Sequence, residues 1–317
     1  MKKKILYTTA YNEQYLLLKA DAAEKGGKYF CPVCQSEMLL RKSGNTGKGS
    51  KRPHFAHKVL TENCTAEGVL HFSFKRMLVT KLLQYAQEKK EIFMNWNCKY
   101  CGEKHSDNLL KKVYDVKEEY SLQNCKPDIA LLNDKGIVFA VIEITVTHAP
   151  ELNVIKYYAE NKIILIQITL SSEDDLNNID AKIANPDSVD FCFNPKCKKC
   201  GKFAIKKELV ILDENCYNCD SAMKVCYISV KDYPVTPRSF NDAEINFAKS
   251  KGVLLQERYS RTENEKYVAN VCPRCNAFIG DFYMHDYMPA MDNNKSQYEI
   301  GYFCDACNCY LKRGNFA

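Results

Sequence analysis

Cysteines spaced Cys-x-x-Cys punctuate this chain, and each such knuckle offers two thiolates from one tight turn. Zinc takes four ligands in a tetrahedron, so two knuckles brought together close a site. Cys197-Lys-Lys-Cys200 is followed after fifteen residues by Cys216-Tyr-Asn-Cys219, the spacing of a zinc ribbon. Cys272-Pro-Arg-Cys275 and Cys304-Asp-Ala-Cys307, with 28 residues between them, read as a second ribbon. Near the start, Cys31-Pro-Val-Cys34 precedes His54-Phe-Ala-His57. These four residues complete one tetrahedron, with Cys64 able to replace either histidine. Cys98-Lys-Tyr-Cys101 is a further pair, with His105, Cys125 or Cys192 as its partners. Cys226 and Cys309 are surplus and read as small hydrophobes. Three or four zinc ions are therefore expected. Fully ligated zinc leaves no position for water, so these sites support folding and do no chemistry.

Two carboxylates carry the other chemistry. Asp128 follows Pro127 at the head of one apolar run, and Glu143 lies deep in the next, Ile137 to Val146. Alternation puts Glu143, Thr145 and Thr147 on one face of that strand and Ile142, Ile144 and Val146 on the other. Polar groups so placed cost free energy unless paired, and a divalent metal held by Asp128 and Glu143 would pair them.

The elements that must position these residues follow from periodicity. Leu70, Phe74, Leu78 and Leu82 predict a helix over about 65–90. Strands are expected at about 91–96, 111–120, 127–132 and 137–147, then a helix at 150–161 and a strand at 162–170. Short strands are expected before residue 60, around 15–20, 28–30 and 38–41. Glu67, His71 and Lys75 fall at i, i+4 and i+8, one stripe of the first helix. Glu118 and Glu119 read as solvated, with one of them able to reach the site. His148 reads as a turn residue beside Pro150.

Composition sets the limits. The 317 residues are 46% hydrophobic and 26% charged, which describes a globular chain of two or three domains. No apolar run approaches the roughly 18–20 residues that span a bilayer. The N-terminal residues turn polar within a few positions, so no signal peptide is expected and a cytoplasmic location is. In a reducing compartment, 17 cysteines point to metal sites and not to disulfides. The net charge is +6, and residues 1–90 hold 17 Lys and Arg against 7 Asp and Glu, an excess of ten. That third of the chain suits a polyanion. The loop at 42–52 lacks the spacing of a nucleotide-binding loop. With Lys48, Lys51 and Arg52 it reads as a basic hairpin for a nucleic-acid backbone.

Pro127-Asp128 followed by Glu143-x-Thr145 resembles the PD-(D/E)xK nuclease superfamily. The first 170 residues more narrowly resemble the competence protein CoiA family. Cys31-Pro-x-Cys34, His54-Phe-Ala-His57, Glu67-x-x-x-His71-x-x-x-Lys75, Pro127-Asp128 and Glu143-Ile carry that likeness. The expected fold is α+β: the resemblance implies a restriction-endonuclease-like core with an N-terminal zinc module, and the two C-terminal zinc ribbons, read from cysteine spacing, lie outside it. The expected divisions are 1–64, 65–190 with an inserted knuckle, 191–231 and 240–317. The resemblance implies that Asp128 and Glu143 bind Mg²⁺ or Mn²⁺, that Glu67 adds a ligand or positions water, and that His71 or Lys75 contacts the scissile phosphate. Thr145 stands where the superfamily has its lysine, with Lys75 or Lys156 as replacement. The implied activity is metal-dependent cleavage of DNA, RNA being the second choice. The alternative is an inactive nuclease fold that binds nucleic acid or docks a partner protein through its ribbons. No membrane partner is expected.

Overall fold

The computed structural model describes residues 5–42, 52–59, 64–147, 149–231, 233–261, 263–287 and 295–311. They form two compact units: Met1–Cys98 with Lys104–Phe191, and Lys99–Glu103 with Cys192–Ala317.

The first unit begins with β1 (Thr9–Tyr11), β2 (Leu17–Lys19), β3 (Tyr29–Phe30), β4 (Glu37–Arg41) and β5 (His54–His57). They make an antiparallel sheet in the order β2-β1-β3-β4-β5. Its core of Ala10, Tyr29, Met38 and Phe55 also takes in Val69 of the next helix, α1 (Ala66–Gln87). A buried hydrogen bond between the Thr9 and Ser73 hydroxyls, 2.6 Å long, joins β1 to α1. The expected division at residue 64 is therefore not a division between units. Thr65 caps α1 by accepting the Gly68 N–H at 3.0 Å, and Val69, Leu70, Phe74, Leu78 and Leu82 are buried along it.

The chain continues through a hairpin, β6 (Phe93–Asn97) with β7 (Lys104–Asn108), then β8 (Asp115–Glu118), β9 (Ile129–Leu132) and β10 (Val138–Thr145). After these come α2 (Leu152–Glu160), β11 (Ile164–Thr169), α3 (Ile179–Ala184) and β12 (Ser188–Val189). Strands β12-β11-β10-β9-β8 form a mixed sheet in which only β10 and β11 are parallel, with α2 as the crossover between them. Ala130, Leu132, Val141 and Leu165 meet Tyr158 of α2 on one face. The alternate residues Ile129, Leu131, Ile142, Ile144, Ile166 and Ile168 are buried on the other, where α1 packs against β10. Burial on both faces is why these strands read as continuous apolar runs.

The second unit is built on β13 (Ile205–Asn215), flanked by β14 (Ala222–Val230) and, later in the chain, by β19 (Lys295–Cys304). β15 (Tyr233–Val235) and β20 (Cys309–Tyr310) close the edges of this sheet. Between β15 and β19 lie α4 (Asp242–Ser250), β16 (Leu255–Ser260), β17 (Glu265–Val271), β18 (Phe278–Ile279) and α5 (Asp281–Tyr287). Both faces of the β13–β14 pair are covered. Val210, Leu212, Val225 and Tyr227 face one core with Cys272 and Met284. Leu209, Ile211, Cys226 and Ile228 face another with Phe240 and Ala248. Because β13 is central and pairs with both segments, the expected pair of successive ribbons is replaced by one interleaved unit.

Candidate functional site

In the N-terminal sheet, one ligand atom from each of Cys31, Cys34, His57 and Cys64 comes within 4.8 Å of the others. The Cys31 and Cys64 sulfurs are 3.4 Å apart, and the Cys34 sulfur is 3.2 Å from His57 Nε2. A tetrahedron with Zn–S bonds of about 2.3 Å has edges of roughly 3.8 Å, whereas a disulfide needs about 2.05 Å. The group therefore fits zinc. Cys64 takes the place given to His54, whose Nδ1 lies 2.9 Å from the Arg52 carbonyl oxygen. The reason is strand alternation: His54 and His57 lie three apart on one strand and so point to opposite faces.

Two further groups lie within the second unit, and their pairing corrects the expectation. Cys197 and Cys200 meet Cys304 and Cys307, while Cys216 and Cys219 meet Cys272 and Cys275. The sulfurs of Cys200 and Cys304 are 3.5 Å apart, and those of Cys216 and Cys275 are 3.6 Å apart. The cause is the length of β13. Its eleven residues, at about 3.3 Å each, hold the Cys200 and Cys216 knuckles some 35 Å apart. β19 runs antiparallel to β13 with Ile205 opposite Phe303, which brings Cys304 beside Cys200. No disulfide joins any of the cysteines among the described residues, and Cys226 is a buried core residue as its apolar setting requires. Cys98 and Cys101 are both buried, and the chain passes from the first unit to the second between them.

The carboxylate pair is set by strand register. Val141 lies opposite Ala130 and Ile142 opposite Ile129, where the ladder ends, so Asp128 immediately before β9 and Glu143 on β10 are the next residues along the two chains. Asp128 Oδ2 accepts the Ile144 N–H at 2.9 Å and lies 3.0 Å from His71 Nε2, and Oδ1 is 3.5 Å from Lys75 Nζ. Burial works against ionisation of Asp128, but the His71 hydrogen bond and charge, the Ile144 N–H and the Lys75 charge outweigh it and hold this carboxyl below the usual range. Glu143 Oε1 accepts from Tyr158 OH at 2.6 Å. Burial, with the Asp128 charge beside it, nonetheless pushes the Glu143 carboxyl up. Two neighbouring like charges repel, and a hard divalent cation between them would relieve that cost.

Glu67 does not join them. Its Oε2 accepts from Thr147 Oγ1 at 3.2 Å, and no three-carboxylate group forms among the described residues. Thr145, half-buried, follows Glu143 on the same face. Of the two lysines that could supply a charge near the pair, Lys75 has a side chain only 5% exposed and donates to Glu119 Oε1 at 2.7 Å. The Lys156 side chain is 76% exposed and paired with Glu160. Glu119, expected to be solvated, bridges Lys75 and Lys126, and these partners lower its pKa to about 2. The unforeseen member of the site is Tyr158. Tyr158 faces Glu143 because α2 packs on the same side of β10. Of the basic hairpin, Arg52 is ion-paired with Asp174 at 3.2 Å. Lys48 and Lys51 lie outside the described residues, as does His148.

No helix of the described residues is long and apolar enough to cross a membrane. Comparison with curated proteins and with solved structures found no match. Residues 13–67 do match a family model, that of the competence protein CoiA, N-terminal domain, and over that segment the likeness to the CoiA-like family holds.

Proposed function

We propose that this protein is a divalent-metal-dependent nuclease acting on DNA, with a PD-(D/E)xK-type core. The observation that carries the reading is the placement of Asp128 immediately before β9 and of Glu143 on the neighbouring β10, with the buried Lys75 3.5 Å from Asp128 Oδ1. The order of helix, three antiparallel strands, crossover helix and parallel strand supports it. Asp128 and Glu143 would hold Mg²⁺ or Mn²⁺, which when bound polarises a phosphoryl oxygen and acidifies a coordinated water. Lys75 supplies the positive charge that Thr145 cannot, set to stabilise charge developing on the phosphate. His71, hydrogen-bonded to Asp128, orients that carboxylate.

The test is cleavage of labelled single- and double-stranded DNA by the full chain in Mg²⁺ or Mn²⁺. Glu143→Ala should abolish cutting, and Lys75→Ala should slow it about 10²-fold, as loss of one charge-stabilising donor does. Lys156→Ala should leave the rate unchanged. Cutting that survives Glu143→Ala would refute the assignment.

A second reading has one specific observation in its favour. Asp128 is already compensated by His71 and Lys75, and Glu143 by Tyr158. A fold so neutralised stands without a metal and could bind nucleic acid without cutting it. Salt-sensitive binding with no cleavage in any divalent metal would favour this reading.

A further inference from the structure

The second unit presents an open groove of about 710 Å³ beside the Cys197, Cys200, Cys304 and Cys307 group. Two aromatic rings form part of its wall. Tyr100 and Phe203 lie with centroids 4.8 Å apart and planes tilted by 36°. Tyr100 is 44% exposed. Phe203 is half-buried, held by its backbone bridge to Lys196. Lysines surround the rings. Lys99 Nζ lies 5.1 Å from the Tyr100 centroid and Lys196 Nζ lies 4.8 Å from that of Phe203. Lys202 and Lys231 line the same groove, and Lys231 Nζ would stand 3.2 Å from a Cβ built on Gly102. The knuckle adds Lys198 and Lys199, both exposed.

A four-thiolate zinc group carries two net negative charges, and neutralising it is the ordinary explanation for nearby lysines. Here five lysines, Lys196, Lys198, Lys199, Lys202 and Lys231, exceed that need even after Asp305 on the groove wall is counted. The surplus calls for an external polyanion, and the aromatic rings restrict which one. A duplex hides the faces of its bases, whereas a single strand offers each as a stacking partner.

We propose that this groove binds single-stranded nucleic acid, with Tyr100 and Phe203 stacking on bases and Lys196, Lys202 and Lys231 contacting phosphates. The proposal deepens the nucleic-acid reading above but does not depend on cleavage.

The test is fluorescence anisotropy of the zinc-loaded full chain in buffer without Mg²⁺ or chelator. The probes are an oligo-dT strand and a duplex of the same length. The strand should bind at least about tenfold tighter than the duplex. Tyr100→Ala should weaken strand binding about 5- to 100-fold, the range for loss of one stacking ring, and Tyr100→Phe should retain it. The exposed Lys202→Glu should weaken binding and flatten its salt dependence. Equal affinity for duplex, or unchanged binding in both Tyr100→Ala and Lys202→Glu, would overturn the proposal. So would competition by polyglutamate as effective as by oligo-dT. Failure of the nuclease reading appears differently, as absent cleavage with this binding intact.

Discussion

Lys75 and Lys156 show where reading residues from sequence stops. Both were positioned to replace the lysine that Thr145 lacks, and spacing alone could not choose. The choice depends on which helix face meets the sheet: Lys75 lies on the buried face of α1, whereas Lys156 points to solvent from α2. The pair Asp128 and Glu143 was legible because strand alternation and a short connection fix which residues come near each other. Asp175 is a residue whose role spacing did not reveal. Its carboxylate, 11% exposed, accepts the Ser171 and Ser172 N–H groups at 2.7 and 3.1 Å and faces Lys182 at 3.4 Å. Burial opposes the charge, but these partners outweigh it and hold the carboxyl below its ordinary value of 3.8. A depressed folded-state pKa gives stability that is complete above the unfolded value and lost as pH falls through the folded one. Asp175→Asn should therefore cost about 2 kcal/mol at neutral pH, with the difference from wild type shrinking only below about pH 4. Urea unfolding can be followed through the single tryptophan, Trp96, which is buried in the same unit. A difference that grows on acidification would contradict this account.

At the scale of elements, the first unit was largely legible. The expected helix at 65–90 is α1, and the strands at 127–132 and 137–147 are β9 and β10 within a few residues. Local periodicity carried those elements. The zinc pairing was not legible, because it depends on which strand lies beside β13, a contact about a hundred residues away in the chain. Fifteen residues between knuckles suits a hairpin that folds back, but β13 runs straight and separates them. Zinc stoichiometry tests this directly. Cys197→Ser and Cys304→Ser should each lose one zinc, and the double variant should still lose only one. Cys197→Ser with Cys216→Ser should lose two. The reverse pattern would restore the sequential ribbons and contradict the interleaved sheet.

Across the whole molecule, the two units divide the chemistry. The first holds the carboxylate pair and the zinc group of the segment that matches the CoiA N-terminal domain. The second holds two four-cysteine groups that bring distant segments of chain together and could hold zinc and, by our inference, a surface for an unpaired strand. Metal held by the cysteine groups would be soft-ligated by thiolates, whereas metal acting on phosphate would be hard-ligated by carboxylates. Mn²⁺ can therefore probe the carboxylate pair while zinc stays in place. The most direct measurement is electron paramagnetic resonance titration of the zinc-loaded chain with Mn²⁺. The account predicts a bound Mn²⁺ that is lost in both Asp128→Asn and Glu143→Gln, with zinc content unchanged. Mn²⁺ binding unaffected by either substitution would contradict it.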